Sequence, residues 1–270
     1  MKEFNLASIG TALALTLGFA LPASAQMTYN YGTGGNCNYT SGNPFACSVT
    51  GSATAANSVI SGAWAATNST GANFVAATLT DQLASGMGLT SVGEDGTSPN
   101  HGIDNNLNTE LVLLNFGTNK VVLTGLATGW SENDTDIAVL RWTGAASGPT
   151  LTSTNVANLL SSGWAMVSSA DLDGGNTTGA TFGGLSTTTG LTVTAANSSS
   201  WWIVSSYFGG GTLGTADAAK DYFKLLSVSA TCVSSTSGGA CNTSVPEPGS
   251  LVLAGLALAA VTYSRRRKTK

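Results

Sequence analysis

The chain reads as an all-β protein built as one antiparallel β-sandwich, jelly-roll-like, with an apolar segment at each end. Three observations predict this. Short apolar runs of strand length follow one another with little helical periodicity between them. The joints are rich in Gly and Asn, with 34 glycines among 270 residues. Only 9% of residues are charged, against roughly 25% in ordinary soluble domains. The hydrophobic share of 42% is too high for a solvated disordered polymer.

Charge and histidine content exclude several function classes. Between Gln26 and Val245 stand four basic residues against twelve acidic ones, a net of −8. A nucleic-acid partner needs a basic face, which this stretch lacks. One histidine, His101, excludes multi-histidine metal sites and leaves little acid–base chemistry near neutral pH. No phosphate-binding glycine loop or dinucleotide fingerprint is present.

The first element is a signal peptide over residues 1–25. Lys2 supplies the positive start, and Leu6 to Leu21 is the apolar run. Pro22 breaks it, and Ala23-Ser24-Ala25 is a small-x-small site for signal peptidase, cut before Gln26. All four cysteines, Cys37, Cys47, Cys232 and Cys241, follow that cut. An even count in an exported chain reads as two disulfides. The spacings C-x9-C and C-x8-C do not suit zinc or redox motifs. Of the three connectivities the local one, Cys37–Cys47 and Cys232–Cys241, is favoured, with pairing across the chain ends as its rival. A closed loop of this size is worth roughly 2–3 kcal/mol.

Residues 51–80 carry isolated apolar anchors and read as two weak strands or irregular cover. Asp81 to Gly88 reads as a short helix. Glu110 to Phe116 is an apolar run suited to a strand buried on both faces. Gly117-Thr118-Asn119 then turns the chain into Lys120–Thr124, so the pair reads as a hairpin. Asp136 to Trp142 is a further strand, with Ile137, Val139 and Arg141 on one face and Ala138, Leu140 and Trp142 on the other. Asn155–Ser161 reads as one helical turn capped by Thr154 or Ser153. Later strands are expected at Trp164–Ser168, Leu191–Ala195, Trp201–Phe208 and Tyr222–Thr231. The strands end at Cys232, and 233–244 is a Ser/Thr/Gly tether.

The C-terminus has three parts in order. Val245-Pro246-Glu247-Pro248 is held extended by its prolines. Gly249 to Ser264 is apolar, and sixteen helical residues would span about 24 Å, which snorkelling arginines extend toward a bilayer core. Arg265-Arg266-Arg267-Lys268 is the basic stop that stays cytoplasmic. This succession, at the extreme C-terminus, resembles the PEP-CTERM sorting signal of Gram-negative bacteria. The resemblance implies a single transmembrane sorting helix and an exosortase that acts near the Val245–Pro248 motif. It implies an exported protein, transiently anchored in the inner membrane and then released to the cell surface or the extracellular matrix. The chain thus divides into signal peptide (1–25), β-sandwich surface domain (26–232), tether (233–244) and sorting signal (245–270). His101-Gly102-Ile103-Asp104-Asn105, the run Glu110–Phe116, Gly129-Trp130 with Asp134-Thr135-Asp136, Gly163-Trp164, Trp201-Trp202-Ile203 and Asp221-Tyr222-Phe223-Lys224 resemble a subfamily of exosortase-dependent surface proteins, which brings a location and no reaction.

The remaining candidates are tested on chemistry. His101 with Asp104 suggests half of a hydrolase triad, but no nucleophile elbow accompanies it, so an Asx-turn aspartate beside a loop histidine is the plainer reading. Asp134 and Asp136 alternate as carboxylates that could ligate Ca²⁺, though no EF-hand spacing surrounds them; acidic turn chemistry is the alternative there and at Glu94-Asp95. Otherwise no cofactor is expected. Trp201 and Trp202 point to opposite faces of one strand, one into the core and the other either exposed to stack on a sugar or, like the first, covered by neighbouring elements. The function expected is a non-enzymatic surface or matrix protein, structural or adhesive in exopolysaccharide and biofilm. The alternative is a carbohydrate-binding module for that polysaccharide, and a secreted hydrolase stands third.

Overall fold

A computed structural model describes residues 26–32, 37–38, 45–48, 58–67, 71–95, 97–133, 135–170, 181–183, 195–206 and 220–235. Gln26–Asn242 forms one compact unit. The signal peptide, the sorting motif, the expected membrane helix and the basic stop lie outside the described residues, as do Cys241, Asp134 and most of the strand expected at Leu191–Ala195. Among the described residues no helix is long and apolar enough to cross a membrane.

The described residues are all-β, arranged in two antiparallel sheets. The eight-stranded sheet runs β12 (Trp164–Ala170), β11 (Ile137–Trp142), β14 (Trp201–Ser206), β9 (Asn108–Asn115), β4 (Ser58–Thr67), β3 (Phe45–Ser48), β2 (Cys37–Asn38), with β5 (Val75–Ala76) added beside β4. The seven-stranded sheet runs β13 (Thr181–Gly183), β10 (Asn119–Asn133), β15 (Asp221–Ser235), β7 (Met87–Thr90), β6 (Thr78–Asp81). In it β1 (Gln26–Asn30) and β8 (Ile103–Asp104) also pair with β15. One edge of β15 therefore follows β10 over most of its length, and the other takes β8, β7 and β1 in succession.

Alternation along the strands places the core. Val112, Leu114 and Phe116 join Leu123, Trp202 and Phe223 in the main cluster, which draws on strands of both sheets. Leu111 and Leu113 point the other way, into a second cluster with Leu140 and Ile203, covered by Phe74 and Leu159. The expectation that 110–116 is buried on both faces is met. Each large side chain so buried contributes about 1.5–3 kcal/mol, which fixes the register against a one-residue slip. Ile137 and Val139 face the first cluster and Ala138, Leu140 and Trp142 the second, as the period of two requires.

Several local expectations are corrected. The hairpin at 110–124 is not one: β9 pairs with β14 and β4, while β10 pairs with β15 and β13 in the other sheet. The Gly117 turn, at φ +62°, carries the chain from one sheet to the other. A strand buried on both faces belongs at the centre of its sheet, where both edges are already taken. The helical turn near 155–161 is a pair of 3₁₀ turns, Val156–Asn158 and Leu160–Ser162. Its cap is Asn155, in a reciprocal box with Asn158, and not Thr154 or Ser153. The short helix at 81–88 shrinks to a 3₁₀ turn, Leu83–Ser85, before β7. The last strand continues past Cys232 to Ser235.

Candidate functional site

Two groups of side chains stand out. The first is a groove of about 590 Å³ where the Gly117 turn meets the end of β11 and the start of β14. Lys120, Arg141, Trp142, Thr143, Ser199 and Trp201 are among its lining residues. Residues 201 and 202 do part to opposite faces. Trp202 is fully buried, and its indole N–H donates to the Ser199 carbonyl at 3.1 Å. Trp201 is half-buried and faces the groove. Gly148 lies flat against the Trp201 indole, where a Cβ would come within 2.9 Å of the ring. Trp142 is braced by an edge-on Trp164, with centroids 5.3 Å apart, and donates its N–H to the Ala145 carbonyl at 2.8 Å. The Arg141 guanidinium donates to the Ala196 carbonyl, and partial burial lowers its pKa. Two indoles held in fixed orientation beside two cations can stack on sugar rings and pair with carboxylates.

The second group is acidic. Glu94, on the loop after β7, Asp104 in β8 and Glu110 in β9 bring carboxylate oxygens within 4.8 Å of one another. Asp104 and Glu110 are fully buried. One oxygen of each carboxylate has a main-chain donor: Ser91 N–H to Glu94 at 2.6 Å, Asn106 N–H to Asp104 at 2.9 Å and Asp104 N–H to Glu110 at 3.1 Å. The other oxygen of each is buried and has no partner among the described residues. Burial pushes the Asp104 carboxyl up to about 7, with Glu94 adding to the rise and the Asn106 N–H and Lys220 opposing it. Burial likewise holds Glu110 well above the usual range, reinforced by Asp104 and Glu94.

The sequence candidates fall variously. Asp104 makes the Asx turn expected of it, through Asn106. His101 does not turn to Asp104: its Nε2 lies 3.0 Å from the Lys224 ammonium, and its ring stacks on Trp130 at 6.4 Å. Lys224 sits over the same indole at 4.3 Å, and desolvation lowers its pKa. Asp136 is buried beside Asp221, whose carboxylate accepts from the Asp136 N–H at 2.7 Å, and the acidic group does not include it. Asp95 does order its turn, accepting from Thr97 N–H at 3.0 Å and Asn100 at 3.1 Å, whereas its neighbour Glu94 turns inward. Sequence reasoning missed Glu110, although a carboxylate inside Glu110-Leu111-Val112-Leu113-Leu114 was a visible anomaly. Cys37 and Cys47 stand directly opposite each other in the β2–β3 register, and Cys232 is disulfide-bonded.

The family model of the PEP-CTERM protein-sorting motif matches residues 244–268. The chain therefore carries the sorting signal of an exported, membrane-transiting protein, and that signal implies an exosortase as its processing partner. No curated protein and no solved structure matches the chain.

Proposed function

We propose that this is a structural or adhesive protein of the bacterial surface or extracellular matrix, set into exopolysaccharide and biofilm after processing at Pro246-Glu247-Pro248. The observation that carries the reading is the sorting motif at 244–268, attached to an all-β unit poor in charge. In this reading signal peptidase cuts before Gln26, the 249–264 helix holds the chain in the inner membrane, and Arg265–Lys268 remain cytoplasmic. Two local disulfides, Cys37–Cys47 and Cys232–Cys241, stiffen the exported part. Directly opposed residues in an antiparallel pair hold their Cβ atoms about 4.5–5.5 Å apart, close to what a bridge requires. The chain turns over no substrate and needs no catalytic residue. Intact mass measurement of the mature protein from its own host tests the reading. Cuts before Gln26 and near Pro246–Pro248, with hydrogens lost at both bridges, are expected. A mature surface protein that keeps Arg265–Lys268, or that has reduced thiols, contradicts it.

A second reading is favoured by the groove alone: a carbohydrate-binding module for the host's own polysaccharide. Trp201 and Trp142 supply stacking surfaces, and Arg141 and Lys120 give local positive charge on an acidic domain. Tryptophan fluorescence titrated with that polysaccharide should saturate. In Trp201→Ala the affinity should fall at least tenfold, the loss of about one stacking contact of 1.4 kcal/mol. Equal binding by wild type and Trp201→Ala counts against it.

A further inference from the structure

The three carboxylates form a buried group that neither sorting nor glycan stacking uses. Buried carboxylates ordinarily pair with a cation or fill their lone pairs with donors. Here Asp104 and Glu110 are 0% exposed, and Asp104 Oδ2, Glu110 Oε1 and Glu94 Oε1 are buried with no partner among the described residues. The cation acting on Asp104 is Lys220, which is itself exposed. Main-chain N–H groups hold one oxygen of each carboxylate and leave the second free inside the cluster. The Ser91 side chain also hydrogen-bonds Glu110, yet one fixed acceptor on each carboxylate remains without a donor among the described residues.

We propose that Glu94, Asp104 and Glu110 form a calcium site that pins the β7–β8 loop to β9. The ligands are all oxygen, which selects a hard cation over zinc or copper. Two oxygens on one Ca²⁺ at about 2.4 Å lie at most about 4.8 Å apart, and the three carboxylates meet that limit. The three carboxylates supply three free oxygens, and water would fill the rest of the six to eight positions that calcium takes in flexible geometry, whereas Mg²⁺ demands a near-ideal octahedron at shorter distances. Glu94 reaches the cluster from a loop that β7 holds closely: Leu89 N–H donates to the Gly102 carbonyl at 3.2 Å. Binding therefore ties together three segments, the loop, β8 and β9. A site of this kind in an exported domain has the millimolar to submillimolar affinity of extracellular modules.

The test uses the full chain in detergent, stripped with EDTA and returned to CaCl₂, MgCl₂ or TbCl₃. At a hundredfold excess over Kd, calcium should raise Tm by about 5–10 °C. Tb³⁺ luminescence excited through Tyr222, which stands opposite Asp104 in the β15–β8 register, should saturate at one equivalent and be displaced by Ca²⁺. Glu110→Gln should abolish both responses. Should that variant fail to fold, Glu94→Gln on the half-buried loop must weaken calcium binding at least tenfold while leaving the sheets intact. The proposal is overturned by a Tm indifferent to calcium, by Mg²⁺ acting as strongly as Ca²⁺, or by a folded Glu94→Gln that binds calcium like wild type.

Discussion

Trp201 and Trp202 are adjacent in sequence, yet their substitution should have unequal effects. Trp202 fills the cluster shared by the two sheets, so Trp202→Ala should cost about 3–5 kcal/mol, read as a lowered midpoint in urea. Trp201→Ala should cost far less, because its ring is half outside. The alternation of a strand made this division legible, though not which indole went inward. The acidic cluster was hidden for a different reason. Glu94, Asp104 and Glu110 are separate in sequence, and only Glu110 sits in a context that looks wrong for its charge. Its acidity also sets a pH dependence. With divalent cations chelated, the fold favours protonated Asp104 and Glu110, since their pKa values lie above that of an unfolded carboxylate near 4. The unfolded chain then binds fewer protons than the native one, so stability falls as pH rises. Glu94 adds to the repulsion, and Lys220 offsets part of it, while the Tyr222 phenol, its pKa raised by burial, stays neutral over this range. Melts in EDTA should show Tm decreasing from about pH 5 to 8 through the Asp104 value near 7, and Asp104→Asn should flatten that slope.

At the scale of elements, the run 110–116 declared its burial on both faces, and β9 does lie inside its sheet. What sequence could not declare was its partner. A short Gly-Thr-Asn turn serves equally for a hairpin and for a crossing between sheets; the choice depends on which distant strands, β4 before it and β14 after it, claim the edges of β9. The 3₁₀ turns Val156–Asn158 and Leu160–Ser162 look like one helical turn in sequence because caps and polar spacing are alike in both. The β7–β8 loop shows how closely backbone can be packed here. A Cβ on Gly88 would lie 1.9 Å from the His101 carbonyl oxygen. Gly88→Ala should therefore push the loop away and cost about 1–3 kcal/mol, measured by denaturant unfolding.

At the scale of the molecule, the linear parts were the legible ones. The sorting motif is read in order by an enzyme, so its residues must be contiguous, and the match at 244–268 coincides with them. The groove and the carboxylate cluster are assembled from distant segments and leave no such signature. The place of β15 has a further consequence. It is the final strand among the described residues, yet it lies inside its sheet, with β10 along one edge and β8, β7 and β1 along the other. Gln26 pairs with Thr231, some two hundred positions away. The sheet therefore cannot close until the chain as far as Ser235 is at hand. Until then an open slot stands between β10 on one side and β8, β7 and β1 on the other.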